Sequence, residues 1–340
     1  MAGYSRAARG RGWLTCALAV VVLLLAAASL LSGPVPIPAD EVIAALVQGE
    51  GDYAVIVREL RAPRTLLAVM IGGALGLCGA AAQALTRNPL AEPAVFGTPQ
   101  AAALGAVVAI HVLGTHAFSF VLPLAAFLGA WASILILMFI LARSPSIVTA
   151  LLAGVALGAS CGAAISLVLT LSPNPFATSE IVFWLMGSFT DRSFTHVAIA
   201  LPPITLGCLM IGMSARSYRL LSLGEESASA AGVNLRRTML LTTAGIGLAT
   251  AGGTAVTGAI GFVGLLAAHM VRSAYDADPR AILFPSFLAG AALTTLADIV
   301  ARSLPSAQEP PVGALTAIIG AVAFLILVLS RRWSFRDFPR

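Results

Sequence analysis

The sequence predicts an all-α polytopic membrane protein with ten transmembrane helices, and three observations carry that prediction. Apolar residues make up 59% of the 340 and charged residues only 10%, with a mean hydropathy of +0.94. A soluble domain carries roughly 25% charged residues, so this chain has too little polar surface to coat a water-soluble globule. Its charge-free intervals are long enough to cross a bilayer, which takes about 20 apolar residues per helix. All 20 basic residues are arginine, and their placement sets an orientation.

The charge-free intervals give the elements in order. Residues 1–12 are a cytoplasmic tail, and residues 12–39 hold the first span. Residues 65–86 hold the second. Residues 93–142 contain no charge over 50 positions, enough for two spans with a break near His111 to His116. Residues 144–179 hold one span and then a Pro173-Asn174-Pro175 turn, and residues 193–215 hold the next.

Residues 238–271 number 34, long for one span and short for two plus a turn. Arg236 and Arg237 precede this interval, and Arg272 and Arg280 follow it. If both flanks are cytoplasmic, the chain crosses an even number of times. The expectation is therefore two spans, the second running past His269 towards Tyr275. Residues 281–297 hold one span reaching Arg302, residues 310–330 hold the last, and residues 331–340 are a second cytoplasmic tail.

With the N-terminus inside, fifteen arginines fall in inner segments and five in outer ones. That asymmetry follows the positive-inside rule. The five outer arginines are Arg58, Arg61, Arg64, Arg192 and Arg302. The net charge of +5 is thus a topology signal and does not point to nucleic acid.

Several classes are excluded. Cys16, Cys78, Cys161 and Cys208 lie far apart inside apolar runs, so neither a disulfide framework nor a metal site is expected. A phosphate-binding loop of the G-x-x-x-x-G-K type needs a lysine, and the chain has none. Arg6, Arg9 and Arg11 ahead of an apolar run fit a signal peptide, but Trp13 to Leu31 is long enough to be a retained first helix. Gly72 and Gly76, and then Gly154, Gly158 and Gly162, repeat every four residues, a spacing that lets membrane helices pack closely.

Two polar stretches interrupt the apolar pattern. Arg219 to Arg237 has the form of a short capped helix. Ser222 and Glu225 have capping-box spacing, and Gly232 stands where a left-handed stop belongs. Ala228, Ser229, Ala230 and Ala231 between them leave a smooth face. Arg87 to Pro93 contains two prolines and an asparagine, which stop a helix and free backbone groups. At membrane depth such groups are tolerated only against protein or a wet cavity, and broken helices often mark a transport pathway.

Five motifs resemble the FecCD-type permeases, the membrane subunits of ATP-binding-cassette importers for iron-siderophores, haem and cobalamin. They are Arg61 to Gly97, Leu151 to Ala159, Leu223 to Val233, Gly258 to Arg272, and Ala297 to Ala321, in the family's order. The resemblance implies a ten-helix permease fold working as a dimer with a second copy or an unlike permease. It implies a cytoplasmic ATPase dimer that binds the ATP and magnesium, and a periplasmic or lipid-anchored substrate-binding protein. This subunit would then sit in the bacterial inner membrane with both termini cytoplasmic, perform no bond chemistry and hold no cofactor.

Residue by residue, the resemblance implies three groups. Arg61, Arg64 and Arg302 match arginines that receive glutamates of the binding protein; pairing with Glu59 or Glu309 is the local alternative. Asn88, Pro89 and Leu90 match the loop that narrows the cytoplasmic mouth. Ser222, Leu223, Gly224, Glu225, Glu226, Ala228, Ala231 and Gly232, within residues 222–232, match the coupling helix that enters a groove of the ATPase.

Two departures from the family pattern stand out. Ala268-His269 replaces Pro-His, and Val322 replaces a proline after Gly320-Ala321. Losing these prolines should straighten the helices that hold them. The cargo expected is a ferric chelate, most specifically an iron-siderophore, with haem and cobalamin open. A secondary transporter driven by an ion gradient is the alternative class. It needs ionisable groups near the midplane, and only Asp298, towards the outer end of the ninth span, comes close.

Overall fold

The computed structural model describes residues 2–113, 121–172, 175–305 and 308–329. Fourteen α-helices follow one another among them. They are α1 (Ala2–Leu31), α2 (Ala39–Val47), α3 (Ala62–Thr86), α4 (Thr98–Leu113), α5 (Val121–Arg143), α6 (Ile147–Leu171) and α7 (Pro175–Leu185). Then come α8 (Phe194–Met213), α9 (Ala215–Leu221), α10 (Glu225–Ala230), α11 (Leu235–Thr257), α12 (Val263–Arg272), α13 (Leu283–Ser303) and α14 (Val312–Leu329). No strand occurs among the described residues.

Seven helical stretches are long and apolar enough to cross a membrane: Gly12–Leu31, Ile56–Thr86, Val121–Arg143, Ile147–Leu171, Phe194–Met213, Leu235–Thr257 and Leu283–Ser303. Each overlaps an interval where a span is expected. The other expected spans correspond to α4, α12 and α14, which are shorter. The Pro173-Asn174 part of the expected turn, most of the break after His111, and the tail 331–340 lie outside the described residues.

The core runs along α3 and α11. Their apolar windows are 83% and 89% buried, whereas those of α1 and α6 are 11% and 6% buried. The two inner helices can be enclosed because their contact faces are small. Where α3 crosses α13, a Cβ on Gly76 would collide with the carbonyl of Ser286, and one on Gly290 with that of Gly72. The backbones touch directly, as small residues permit in lipid. Of the repeated glycines, Gly72 and Gly76 face α13, Gly154 and Gly158 face residues 95–100 ahead of and at the start of α4, and Gly162 has nothing within 4 Å.

Helices α4 and α12 share a feature: the chain does not begin either one at the edge of the bundle. Arg87 adopts a left-handed φ of 51° and turns the chain at the end of α3. The Oδ1 of Asn88 accepts a hydrogen bond from the Leu90 amide at 2.9 Å. The chain then makes a short 3₁₀ turn at Pro93–Phe96 and reaches Gly97, whose φ is 73°. Gly97 packs on Gly154 and Leu157 of α6. At 1.5 Å per residue, Gly154 lies about 10 Å along α6 from Ile147. Helix α4 therefore starts well inside the bundle.

Residues 258–262 form the second interruption. The expected pair of spans in 238–271 resolves as α11, a non-helical stretch 258–262 and the ten-residue α12. The stretch leaves α11 beside the α7–α8 link, where the Ser188 amide donates to the Thr257 carbonyl at 2.8 Å. It ends at Phe262, which has a left-handed φ of 65°. The carboxylate of Glu92, from the loop 87–97 that re-enters the bundle between α3 and α4, accepts the Phe262 amide. Five of the fifteen residues from 258 to 272 are not helical, which is how the interval holds a long helix, a break and a short helix. Both α12 and α14 run unbroken through Ala268 and Val322, as expected without the family's prolines.

Candidate functional site

The sequence-predicted residues gather at the two opposite ends of α3. At the end where α3 finishes lie Asn88, Pro89, Leu90 and the α9–α10 stretch. At the end where α3 begins lie Arg61, Arg64 and Arg302.

Helix α9 is held to the core by Tyr218, which is buried and shares a 2.8 Å hydrogen bond with Thr242 of α11. The capping box expected at Ser222 is not formed. Ser222 ends α9 instead, its hydroxyl donating to the Arg219 carbonyl at 2.7 Å. The short helix begins two residues later than the capping box would put it, at Glu225 after Gly224, whose φ of 105° excludes most side chains. Glu225 and Glu226 occupy its first turn, where carboxylates complement the helix dipole.

The stop at Gly232 is as the sequence predicts. Its φ is 86°. The Val233 amide donates to the Ala228 carbonyl at 3.0 Å and the Gly232 amide to that of Ser229 at 2.9 Å. Those two bonds are the Schellman pattern. Ala228 alone of α10 is buried; Leu223, Glu226, Ser229, Ala230, Ala231 and Gly232 face outward.

The re-entrant loop meets this helix. Arg87 Nη2 lies 3.3 Å from Glu225 Oε1. Pro89 is buried, and Asn88 and Leu90 are exposed beside it. A second ion pair, Arg219 with Asp278 at 3.8 Å, joins α9 to the link before α13.

At the other end the three arginines come together, but their guanidinium groups face partners of this chain. Arg61 is 5% exposed and caps the end of α1, donating to the carbonyls of Leu30 and Leu31 at 2.9 and 3.0 Å and to that of Val35. Arg64 donates through Nε and Nη2 to Asp298 Oδ1 at 3.0 and 2.8 Å, and through Nη2 to Glu309 at 2.8 Å. Arg302 lies 2.9 Å from Asp298 Oδ2 and donates to Ser29 and Ser32. Asp298 is fully buried. The pairing with Glu309 was foreseeable; Glu59 is exposed and takes no part. The Asp298–Arg302 pair was visible as an i, i+4 spacing.

These groups wall a cavity of about 280 Å³, which Thr190, Asp191, Arg192 and Glu309 also line. Arg192 was assigned only to an outer segment by its sequence. It belongs to the α7–α8 link and reaches into this cavity and into a second one of about 80 Å³ beside Trp184 and Thr257.

Comparison with known proteins places this arrangement. A family model described as the FecCD transport family matches residues 20–330. The Fe(3+) dicitrate transport system permease protein FecD of Escherichia coli (strain K12) is 38% identical over 319 residues, covering 92% of this chain and 98% of that one. The hemin transport system permease protein HmuU of Yersinia pestis is 38% identical over 284 residues, covering 80% and 83%. A solved structure described as an inward-facing conformation, of a transporter assigned to the metal-chelate type of ABC transporter, superposes with a TM-score of 0.80. It is 30% identical and covers 94% of this chain and 99% of that one.

Proposed function

The chain belongs to the FecCD transport family, and on that premise we propose that it is the membrane permease subunit of an ATP-binding-cassette importer for a metal chelate. The more specific reading is a ferric chelate, an iron-siderophore. Relatives named for ferric dicitrate and hemin support the chelate class. The observation that carries the reading is the meeting of α10 with the re-entrant loop through Arg87 and Glu225. An exposed helix of six residues with two acids and a small-residue face suits a groove on an ATPase. Its contact with Asn88–Leu90 gives movement there a direct route to the mouth of a pathway.

In this reading α4, α12 and α14 complete ten crossings with the seven long helices, and both termini are cytoplasmic in an inner membrane. Closure of the ATPase dimer on ATP and magnesium moves α9 and α10, and the re-entrant loop with them. A second permease, identical or unlike, covers the exposed face of α6, and α3, α6 and α12 contribute to the path between the two. A substrate-binding protein docks at the end where Arg61, Arg64 and Arg302 lie. The three arginines serve docking there by holding the ends of α1, α3 and α13 in one surface. The subunit itself makes and breaks no covalent bond.

Reconstitution tests this. Vesicles containing the chain, its ATPase and a loaded binding protein should accumulate ferric siderophore on ATP addition. Accumulation by the chain alone under an ion gradient would overturn the importer reading.

A further inference from the structure

The cavity at the arginine end carries more positive charge than its own wall neutralises. Arg61, Arg64, Arg192 and Arg302 line it, against Asp191 and Glu309. Asp298, just behind the wall, answers Arg64 and Arg302. Arg61 is satisfied by uncharged carbonyls. Arg192 differs from all three. Its Nε is buried without a hydrogen-bond partner among the described residues. Burial lowers its pKa, and Asp191 is the acid that opposes the shift.

The two acids around Arg64 also differ. Asp298 is fully enclosed and shared between two arginines. The Glu309 side chain is 31% exposed and comes from the link before α14. It bonds Arg64 at 2.8 Å and the Thr190 hydroxyl at 3.2 Å. One partner is thus built into the fold, and the other sits at the opening where an exchange can occur.

We propose that this cavity binds a small carboxylate anion, with the Arg192 Nε, which has no hydrogen-bond partner among the described residues, as a donor to it and Glu309 as a placeholder that the incoming carboxylate displaces from Arg64. The guanidinium fork matches a carboxylate in two parallel hydrogen bonds. The volume selects the size. About 280 Å³ lies just under the roughly 300–1,000 Å³ of typical small-molecule pockets. A di- or tricarboxylate is of a size for that space. The inference is independent of the importer reading, because binding needs no ATPase.

The test uses the purified full-length chain with citrate as the probe and chloride at matched ionic strength as the control, since exposed charges respond to salt alone. Citrate should raise the unfolding temperature saturably, as a ligand selective for the folded state does. Arg192→Gln should abolish the shift, and Glu309→Gln should lower the citrate concentration that gives half of it several-fold. If Arg192→Gln does not fold, Arg192→Lys keeps the charge but loses the fork and should still weaken binding several-fold. Equal responses to citrate and chloride, or an undiminished shift in the Arg192 variants, would overturn the proposal. So would indifference to citrate combined with impaired binding-protein docking in Arg192→Gln, which would put the carboxylate on the protein partner.

Discussion

Arg64 and Asp298, 234 positions apart in the chain, form a buried two-pronged ion pair that fastens the start of α3 to the end of α13. Arg302 shares the same carboxylate. Removing one member of such a group leaves the others charged and dry. Asp298→Ala should therefore destabilise the protein by about 3–5 kcal/mol, read as a lowered unfolding temperature in detergent. Glu309→Ala, at the more exposed partner, should cost less. Equal losses in the two variants would contradict the division between a fixed and an exchangeable acid.

Arg87 and Glu225 form the opposite case. Their side chains are 45% and 38% exposed, so the pair should contribute no more than about 1 kcal/mol to stability. Glu225→Arg combined with Glu226→Arg should leave folding intact. ATP hydrolysis should then continue in the assembled importer while uptake stops. Normal uptake by that double variant would remove α10 from the coupling role.

Glu92 tests the re-entrant loop. Its carboxylate accepts the Phe262 amide at the start of α12. Glu92→Ala should cost about 1–3 kcal/mol, the penalty of an unsatisfied buried donor. Glu92→Gln, which keeps an acceptor oxygen, should recover most of it. Hydrogen exchange at the start of α12 reports the difference, and equal protection in both variants would dissociate Glu92 from that end.

Gly79 tests the close approach of α3 to α12. A Cβ there would run into the Gly264 carbonyl, a backbone group that has no rotamer to escape through. Gly79→Ala should cost about 1–3 kcal/mol, as overpacking does. Gly162→Ala, where nothing lies within 4 Å, should cost little in the isolated chain. Thermal unfolding of the two variants side by side separates a packing glycine from an unused one.

Much of the fold was legible because lipid imposes one simple rule, about 20 apolar residues per crossing. The intervals found by that rule overlap all seven long helices, although Ile56–Thr86 begins nine residues ahead of its interval. The rule assumes that a crossing is helical throughout, and so it could not foresee 258–262 or the inward start of α4. Gly232 was legible because a left-handed stop is a local requirement. Ser222 was misread because its spacing to Glu225 fits a box, whereas the Arg219 carbonyl competes for the same hydroxyl. At the arginine end the residues were legible but their partners were not. Arg61 answers carbonyls 26 to 31 positions earlier and Arg64 a carboxylate 234 positions later, separations that no periodicity encodes.

The contact of α3 with α13 has one further consequence. Backbone lies against backbone at Gly76 and Gly290, and Thr294 and Phe287 fill the space against Gly72 and Gly73, so little room is left for the two helices to shift independently. They behave as one stiff lever. Its arm runs from the ion cluster at Arg64 to Gln83, which holds Arg272 of α12 at 3.1 Å. A tilt imposed at one tip is passed along this packed pair towards the other.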